Sequence, residues 1–492
     1  MASLFDRYQK EKRLKKNAQK VKAQTQKSPQ QTAAKSDLNV SNALTVIRLS
    51  HEGRGVARDA LGKTMFISGA LPGEEVTAQV TQSRSKYNNA VISTLHKASD
   101  DRVEPPCPHF EQCGGCNLQH FQHSAQIAFK QSVITEHLQR ANIIDEQTQH
   151  AAPIGSAPYG YRRKARLGVT RTKSQGLVLG FRERNSKRLT TIQQCPILVP
   201  QLQPLVGELQ SLLPRLRGQG HIGHIELIAE AQQANIILRI TQPLHEGDQR
   251  TWFDWAEQLG VRLIIASTMH AQQSEEREIA DSENDLPERL HYEQLYPVSS
   301  ETPQFSYTLG ELTIHFNASD FLQVNQEVNQ QMVSQALNWL NLSGSEQVLD
   351  LFCGFGNFTL PLAQYAKRVV GIEGVASQVA QGTVNAKANS LNNITFLCTD
   401  LNKPIANFSW AKEKFDVVLL DPPRAGAEEI CSQLSHLGAQ KILYVSCNPI
   451  TLARDAAILK EQGYQLTKYG MLDMFPQTAH MESMALFTRV SS

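Results

Sequence analysis

The sequence predicts an α/β fold with a parallel sheet in its C-terminal part, preceded by a small β-barrel and a mixed α+β central region. Three observations predict it. From about residue 319, apolar runs at 347–352, 369–373, 394–399, 416–420 and 441–446 alternate with helical segments. That is the pattern of strands buried on both faces by crossover helices. Between residues 39 and 98 the runs are shorter and are broken by Gly53, Gly55, Gly62, Gly69 and Gly73, as in a small barrel. The 492 residues exceed what one hydrophobic core organises, so several domains are required.

Taken in order, residues 1–38 carry ten Lys and Arg against Asp6, Glu11 and Asp37, a +7 tail on a remainder of −5. So basic and aromatic-poor a segment cannot bury enough surface to fold alone. It is read as disordered, either touching a polyanion transiently or solubilising the chain. Barrel strands are expected at 43–49, 64–67, 75–80 and 89–95. The central region, 99–318, opens on a cysteine cluster. A helix over 124–143 follows, with Ile127, Ile134, Leu138 and Ala141 at helical spacing. The helical stretch within 119–150 is expected to pack on the C-terminal domain. The basic run YRRKARLGVTRTK at 161–173 is either a polyanion-binding surface or a solvated strand face. Seven acidic residues within 270–289 read as a solvated insert. Residues 319–492 form the last domain.

With 41% hydrophobic and 20% charged residues, the composition is that of a soluble globular protein. No apolar run approaches the roughly 18 residues that span a bilayer, and no apolar stretch follows the basic start as in a secretory signal. The expected location is the cytoplasm, with no membrane partner. No protein partner is evident and a monomer is expected.

A ligand site is expected where the first strand of the last domain ends. The run VLDLFCGFGN, 348–357, is an apolar strand leading into a glycine turn, and Gly354 and Gly356 let a ligand lie against the backbone. Nineteen residues past Gly354, a second strand ends at Glu373, an acid suited to ribose hydroxyls; Asp400 follows a third strand. A dinucleotide fingerprint would supply a third glycine beneath the pyrophosphate, and Thr359 stands there instead. The ordered set resembles the class I (Rossmann-like) methyltransferases, which bind S-adenosylmethionine.

Two further strand ends carry polar motifs: LDPPRAG at 420–426 and VSCNP at 445–449, with HMES at 480–483 beyond them. A DPP turn also occurs in methyltransferases acting on adenine, but Arg424 occupies the place of their stacking aromatic. A cysteine near a strand end is commonly a small core residue, the reading given to Cys353, Cys398 and Cys431. The surroundings of Cys447 point elsewhere. GxG, DPPR, SCNP and HME together resemble the RNA uracil-5-methyltransferase family, from about residue 41 to the end. The resemblance implies that Cys447 is the nucleophile and Glu482 the base. The chemistry accounts for two such groups. C5 of uracil is a poor nucleophile until a thiolate adds at C6, and a base must then take the C5 proton so that the thiolate leaves. The family motif FLQVNQ at 321–326 implies that Gln323 contacts the cofactor. Phe352, Asn357, Glu373, Asp400 and Asp421 complete that pocket by the same match, with Asp421 near the uracil.

The cysteines Cys107, Cys113, Cys116 and Cys195 offer four thiolates in Cx5CGGC spacing plus a distant fourth. Spacing alone leaves zinc and iron–sulfur open, and this is not the Cx3Cx2C spacing of radical enzymes. The large-ribosomal-RNA members that this chain resembles hold a [4Fe-4S] cluster there. Likewise LSHEGRGVARDALGKTMFISGALPGEEVTAQV, 49–80, resembles the TRAM domain, an OB-like barrel of RNA-modifying proteins. Together these imply 23S rRNA as substrate, at the 1939-type uracil, flipped out of its stack. Non-catalytic RNA binding and N-methylation of adenine or guanine are the alternatives.

Overall fold

The computed structural model describes residues 39–173, 176–268 and 290–490. The expected tail at 1–38 and acidic insert at 270–289 lie outside the described residues. The first unit is a six-stranded barrel sheet in the order Asn39–Thr45, Glu75–Ser83, Tyr87–Lys97, Thr64–Ser68, Gly55–Arg58, Arg48–Leu49. Alternating residues such as Met65 and Ile67, or Val76 and Ala78, point into its core. The strand Gly55–Arg58 is absent from the sequence expectation because four residues give too little periodicity. It runs so close to its neighbours that a Cβ on Gly55 would lie 2.8 Å from that of Ala70.

The central unit is a seven-stranded mixed sheet, Leu189–Thr191, Gly176–Arg182, Lys164–Thr172, Ile222–Ala229, Ala234–Ile240, Arg262–Thr268 and Leu290–Tyr296 in spatial order. Its one parallel pair, Ala234–Ile240 with Arg262–Thr268, is joined through the helix Glu246–Leu259. That helix ends on Gly260 in the left-handed conformation, the usual glycine stop.

The C-terminal sheet has eight strands in the order Ile394–Cys398, Arg368–Glu373, Gln347–Leu351, Val417–Leu420, Lys441–Ser446, Glu482–Arg489, Tyr464–Leu472, Gln149–His150. Only Glu482–Arg489 runs antiparallel to its neighbours. The order reverses direction between Gln347–Leu351 and Val417–Leu420, which opens a crevice at the carboxyl ends of the strands where α/β sheets bind ligands. The five predicted parallel strands all form, each within a residue of its expected ends.

The hairpin Phe305–Leu309 and Leu312–Phe316 shares one hydrophobic core with this sheet, so the C-terminal unit begins upstream of residue 319. The helix His123–Arg140 also lies against the sheet, burying Ile134 and Leu138 among its side chains. Cys353 and Cys431 are buried as expected of core cysteines. Cys398 is exposed instead, because the third strand is a sheet edge. Among the described residues, no helix is long and apolar enough to cross a membrane.

Candidate active site

The SCNP motif is a strand end followed by a helix start. Asn448 caps the helix Pro449–Glu461 by accepting from the Ile450 N–H, and Pro449 fills its first turn, where the missing N–H costs nothing. Cys447 is therefore held between a strand and a cap. Ser446 pairs with Ser483 in the last rung of the antiparallel ladder, and Cys447 and Glu482 flank that rung, near enough for the Glu482 charge to act on the Cys447 thiol. The DPPR turn closes onto the same place. Asn448 Nδ2 donates to the Arg424 carbonyl at 3.0 Å, and Arg424 Nη2 meets His480 Nδ1 at 3.2 Å.

The electrostatics are those of carboxylates sequestered from water. Glu482 is 8% exposed and its Oε2 has no partner. Burial, with the charge of Asp421, pushes its carboxyl up to about 8, while Lys130 pulls the other way. Burial likewise pushes Asp421 up to about 7. The Cys447 thiol is also raised, by burial first and then by Glu482 and Asp421, with Arg424 opposing. The structure thus brings Cys447, Glu482 and Asp421 together. Asp350, which the sequence reading missed, lies buried behind them. It accepts from Thr359 at 2.6 Å and is pushed up to about 7 by burial and by the Asp421 and Glu373 charges. An acid inside the apolar run VLDLF was the available signal.

Glu373 ties the glycine turn to the second strand. Its two oxygens accept from the Gly354 N–H at 3.1 Å and the Val375 N–H at 2.9 Å. Gly356 sits at φ +103°, where a Cβ would crowd Leu360 and Phe396, and Phe352 also has a positive φ, +64°. Backbone strain of this kind is maintained only by over-determined surroundings. Asn325 caps the helix Gln326–Leu340 and so fixes Gln323 just ahead of it; Gln323 Oε1 is buried without a partner. Asn357 is turned inward, exchanging two amide hydrogen bonds with Asn329 and accepting from Tyr307 at 3.0 Å. Asp400 is exposed and bonded to Asn402, apart from the other acids.

The cysteines Cys107, Cys113, Cys116 and Cys195 line one cavity of about 1810 Å³ that also reaches Cys447, Arg424 and His480. Burial raises all four thiols, Cys116 to about 11 and Cys195 to about 12, and each of those two also feels the other cysteines. Backbone N–H groups of His109, Gly115 and Ile197 and the Gln119 side chain point at these sulfurs. No three His, Cys, Asp or Glu side chains among the described residues stand close enough to hold a single metal ion. Arg184 staples the cysteine loop, donating to the carbonyls of Phe110, Cys113 and Cys116. Nothing local to Arg184 in the chain points to that role.

The basic run 161–173 divides in two. Arg163 and Lys164 are structural, donating to Gln323 and Gln326 and to the carbonyls of Ala318 and Asp320. Arg162 and Arg166 instead line the cavity, together with Arg54 of the barrel.

Sheet order, glycine turn and strand-end acid define a class I methyltransferase domain. The model of the tRNA (Uracil-5-)-methyltransferase family matches residues 306–490, and that of the TRAM domain matches residues 43–92. A 23S rRNA (uracil(1939)-C(5))-methyltransferase of Vibrio vulnificus is 43% identical over 90% of this chain and 95% of its own length. Its namesake in Photobacterium profundum is 40% identical over 91% and 94%. The crystal structure of the Pyrococcus abyssi tRNA (uracil-54, C5)-methyltransferase with S-adenosyl-L-homocysteine shares the fold at a TM-score of 0.68 and 21% identity. It covers 91% of this chain and all of that one. The chain belongs to the RNA uracil-5-methyltransferase family.

Proposed function

We propose that this protein methylates C5 of a uracil in 23S rRNA in the cytoplasm, at the site equivalent to the uracil 1939 of its relatives' names. The observation that carries the mechanism is that Cys447 and Glu482 flank the last rung of the ladder, Ser446–Ser483, with the Glu482 charge acting on the Cys447 thiol. Cys447 adds as thiolate to C6 and places the ring's electron density on C5. Bound S-adenosylmethionine supplies the methyl group that C5 accepts. Glu482 then takes the C5 proton, the C5–H pair becomes the ring double bond, and the C6–S bond breaks to return the thiolate. A carboxyl buried enough to titrate near 8 is a far stronger base than a solvated one. Asp421, whose charge acts on Glu482, would read the uracil.

The glycine turn, Glu373 and the orphaned Gln323 oxygen fit S-adenosylmethionine. Phe352 and Asn357 shape this pocket through the turn they occupy, and Asp400 would close its adenine side. Cys107, Cys113, Cys116 and Cys195 would hold a [4Fe-4S] cluster. Four thiols on one cavity, with N–H donors directed at them, are what supports thiolate ligation there. The cluster's part is to order the RNA-facing wall, since neither addition nor proton removal needs an electron carrier.

Target RNA carrying 5-fluorouracil tests the reading. With methyl donor present, the wild type is expected to link to it irreversibly, because fluorine cannot leave as a proton does. Cys447→Ala is expected to bind the RNA with unchanged affinity and neither link nor methylate. Methylation by that variant would defeat the mechanism. Mass spectrometry of ribosomal RNA from cells lacking the protein identifies the target uracil.

A further inference from the structure

The loop between Leu472 and Glu482 delivers the base, yet much of what holds it comes from outside the catalytic sheet. The backbone N–H groups of Asn117 and Leu118 both donate to the Gln477 carbonyl at 3.0 Å. Gln126 and Gln477 exchange a pair of bonds, with Gln126 Nε2 donating to Gln477 Oε1 at 3.0 Å and Gln477 N donating to Gln126 Oε1 at 3.1 Å. Lys130 Nζ donates to the Phe475 carbonyl at 3.1 Å. These bonds trap Gln477 at φ +68°, rare for any residue with a side chain.

Asn117 makes two further bonds that no neighbour duplicates. Its Oδ1 accepts from the Ala479 N–H at 2.9 Å, three residues before Glu482. Its Nδ2 donates to the Glu52 carbonyl of the barrel at 3.1 Å. At the same junction Gly53 of the barrel has φ +77°, and a Cβ there would come within 3.0 Å of Leu118 and 3.1 Å of Ala479. Barrel, cysteine-bearing segment and catalytic loop therefore meet on one side chain, directly after Cys116.

We propose that Asn117 is a positioning residue for proton removal: by fixing Ala479 it sets where the Glu482 carboxylate meets the C5 proton. The inference rests on the covalent reading above. Cys447 is held independently, by its own strand and the Asn448 cap, so addition does not depend on Asn117. Loss of the clamp slows only the step in which Glu482 takes the proton and the C6–S bond breaks.

Asn117→Ala is expected to lower kcat about tenfold, within the range small misplacements cost, with kcat/KM for RNA unchanged, so that KM falls in step. A denaturant-resistant adduct with ordinary uracil RNA should accumulate, while linkage to 5-fluorouracil RNA keeps the wild-type rate. Asn117→Asp retains the acceptor for Ala479 and loses the donor to Glu52, so it is expected to recover kcat. Absence of the accumulated adduct, slowed linkage, or Asn117→Asp as impaired as Asn117→Ala would each overturn the assignment. Wild-type protein that never links to the fluorinated RNA would overturn the covalent reading and this inference with it.

Discussion

Glu482, the proposed base, links the protonation of the site to stability. Its carboxyl titrates near 8 in the folded protein and near 4.5 when solvated. The folded state therefore holds the proton more tightly. Its stabilising effect is complete below about pH 4.5 and is lost as the pH rises through 8. Each pH unit between those two values corresponds to roughly 1.4 kcal/mol, so a loss of a few kcal/mol is expected across that window. Glu482→Gln, which cannot ionise, should melt higher than wild type at pH 8.5, the gap closing by pH 4.5. Thermal unfolding at a series of pH values checks this; a constant gap would contradict it. The same substitution removes a negative charge beside Cys447 and should bring the thiol's titration down.

At the scale of elements, the helix His123–Arg140 anchors the loop that leads to the base. Lys130 and Asp473 are both wholly buried and paired at 2.6 Å, and His123 meets the other Asp473 oxygen at 2.8 Å. Removing one partner of such a pair leaves an uncompensated charge, at about 3–5 kcal/mol. Lys130→Ala is expected near the lower bound, because His123 still faces Asp473. Denaturant titration measures it, and a loss under about 1 kcal/mol would show the pair to be dispensable. Adding Asp473→Leu to that variant should recover much of the loss by removing the stranded carboxylate.

For the molecule as a whole, the cavity is the functional unit, with walls from all three parts of the chain. Arg54, Arg162, Arg166, Arg182 and Lys187 line it, and Cys447 opens into it. Such a surface is expected to bind RNA with strong salt dependence, each phosphate contact adding roughly 0.7–0.9 to the slope of log affinity against log salt. Arg166→Ala should lower that slope by about one without changing which uracil is methylated. For the cysteine wall, protein purified without oxygen is expected to be brown, with iron and sulfide in equal amount and absorption near roughly 400 nm. Colourless protein carrying zinc would refute the cluster, and Cys116→Ser should lose the iron.

The local frames of the site are legible in the chain alone. Apolar period and glycine turns located the five parallel strands, and the motifs LDPPRAG and VSCNP marked the strand ends at which Asp421 and Cys447 stand. Such features can be read because neighbours along the chain cause them. Relations between distant segments emerge only on folding. The approach of Cys447 to Glu482 comes from sheet order, and the inward turn of Asn357 from Asn329 on the helix Gln326–Leu340. The split of 161–173 into buried and cavity-lining halves follows from what packs on each face. The clamp of Asn117 on Ala479 spans 362 residues. No local pattern encodes such contacts, because burial and hydrogen-bond partners are set by packing in space and not by order in the chain.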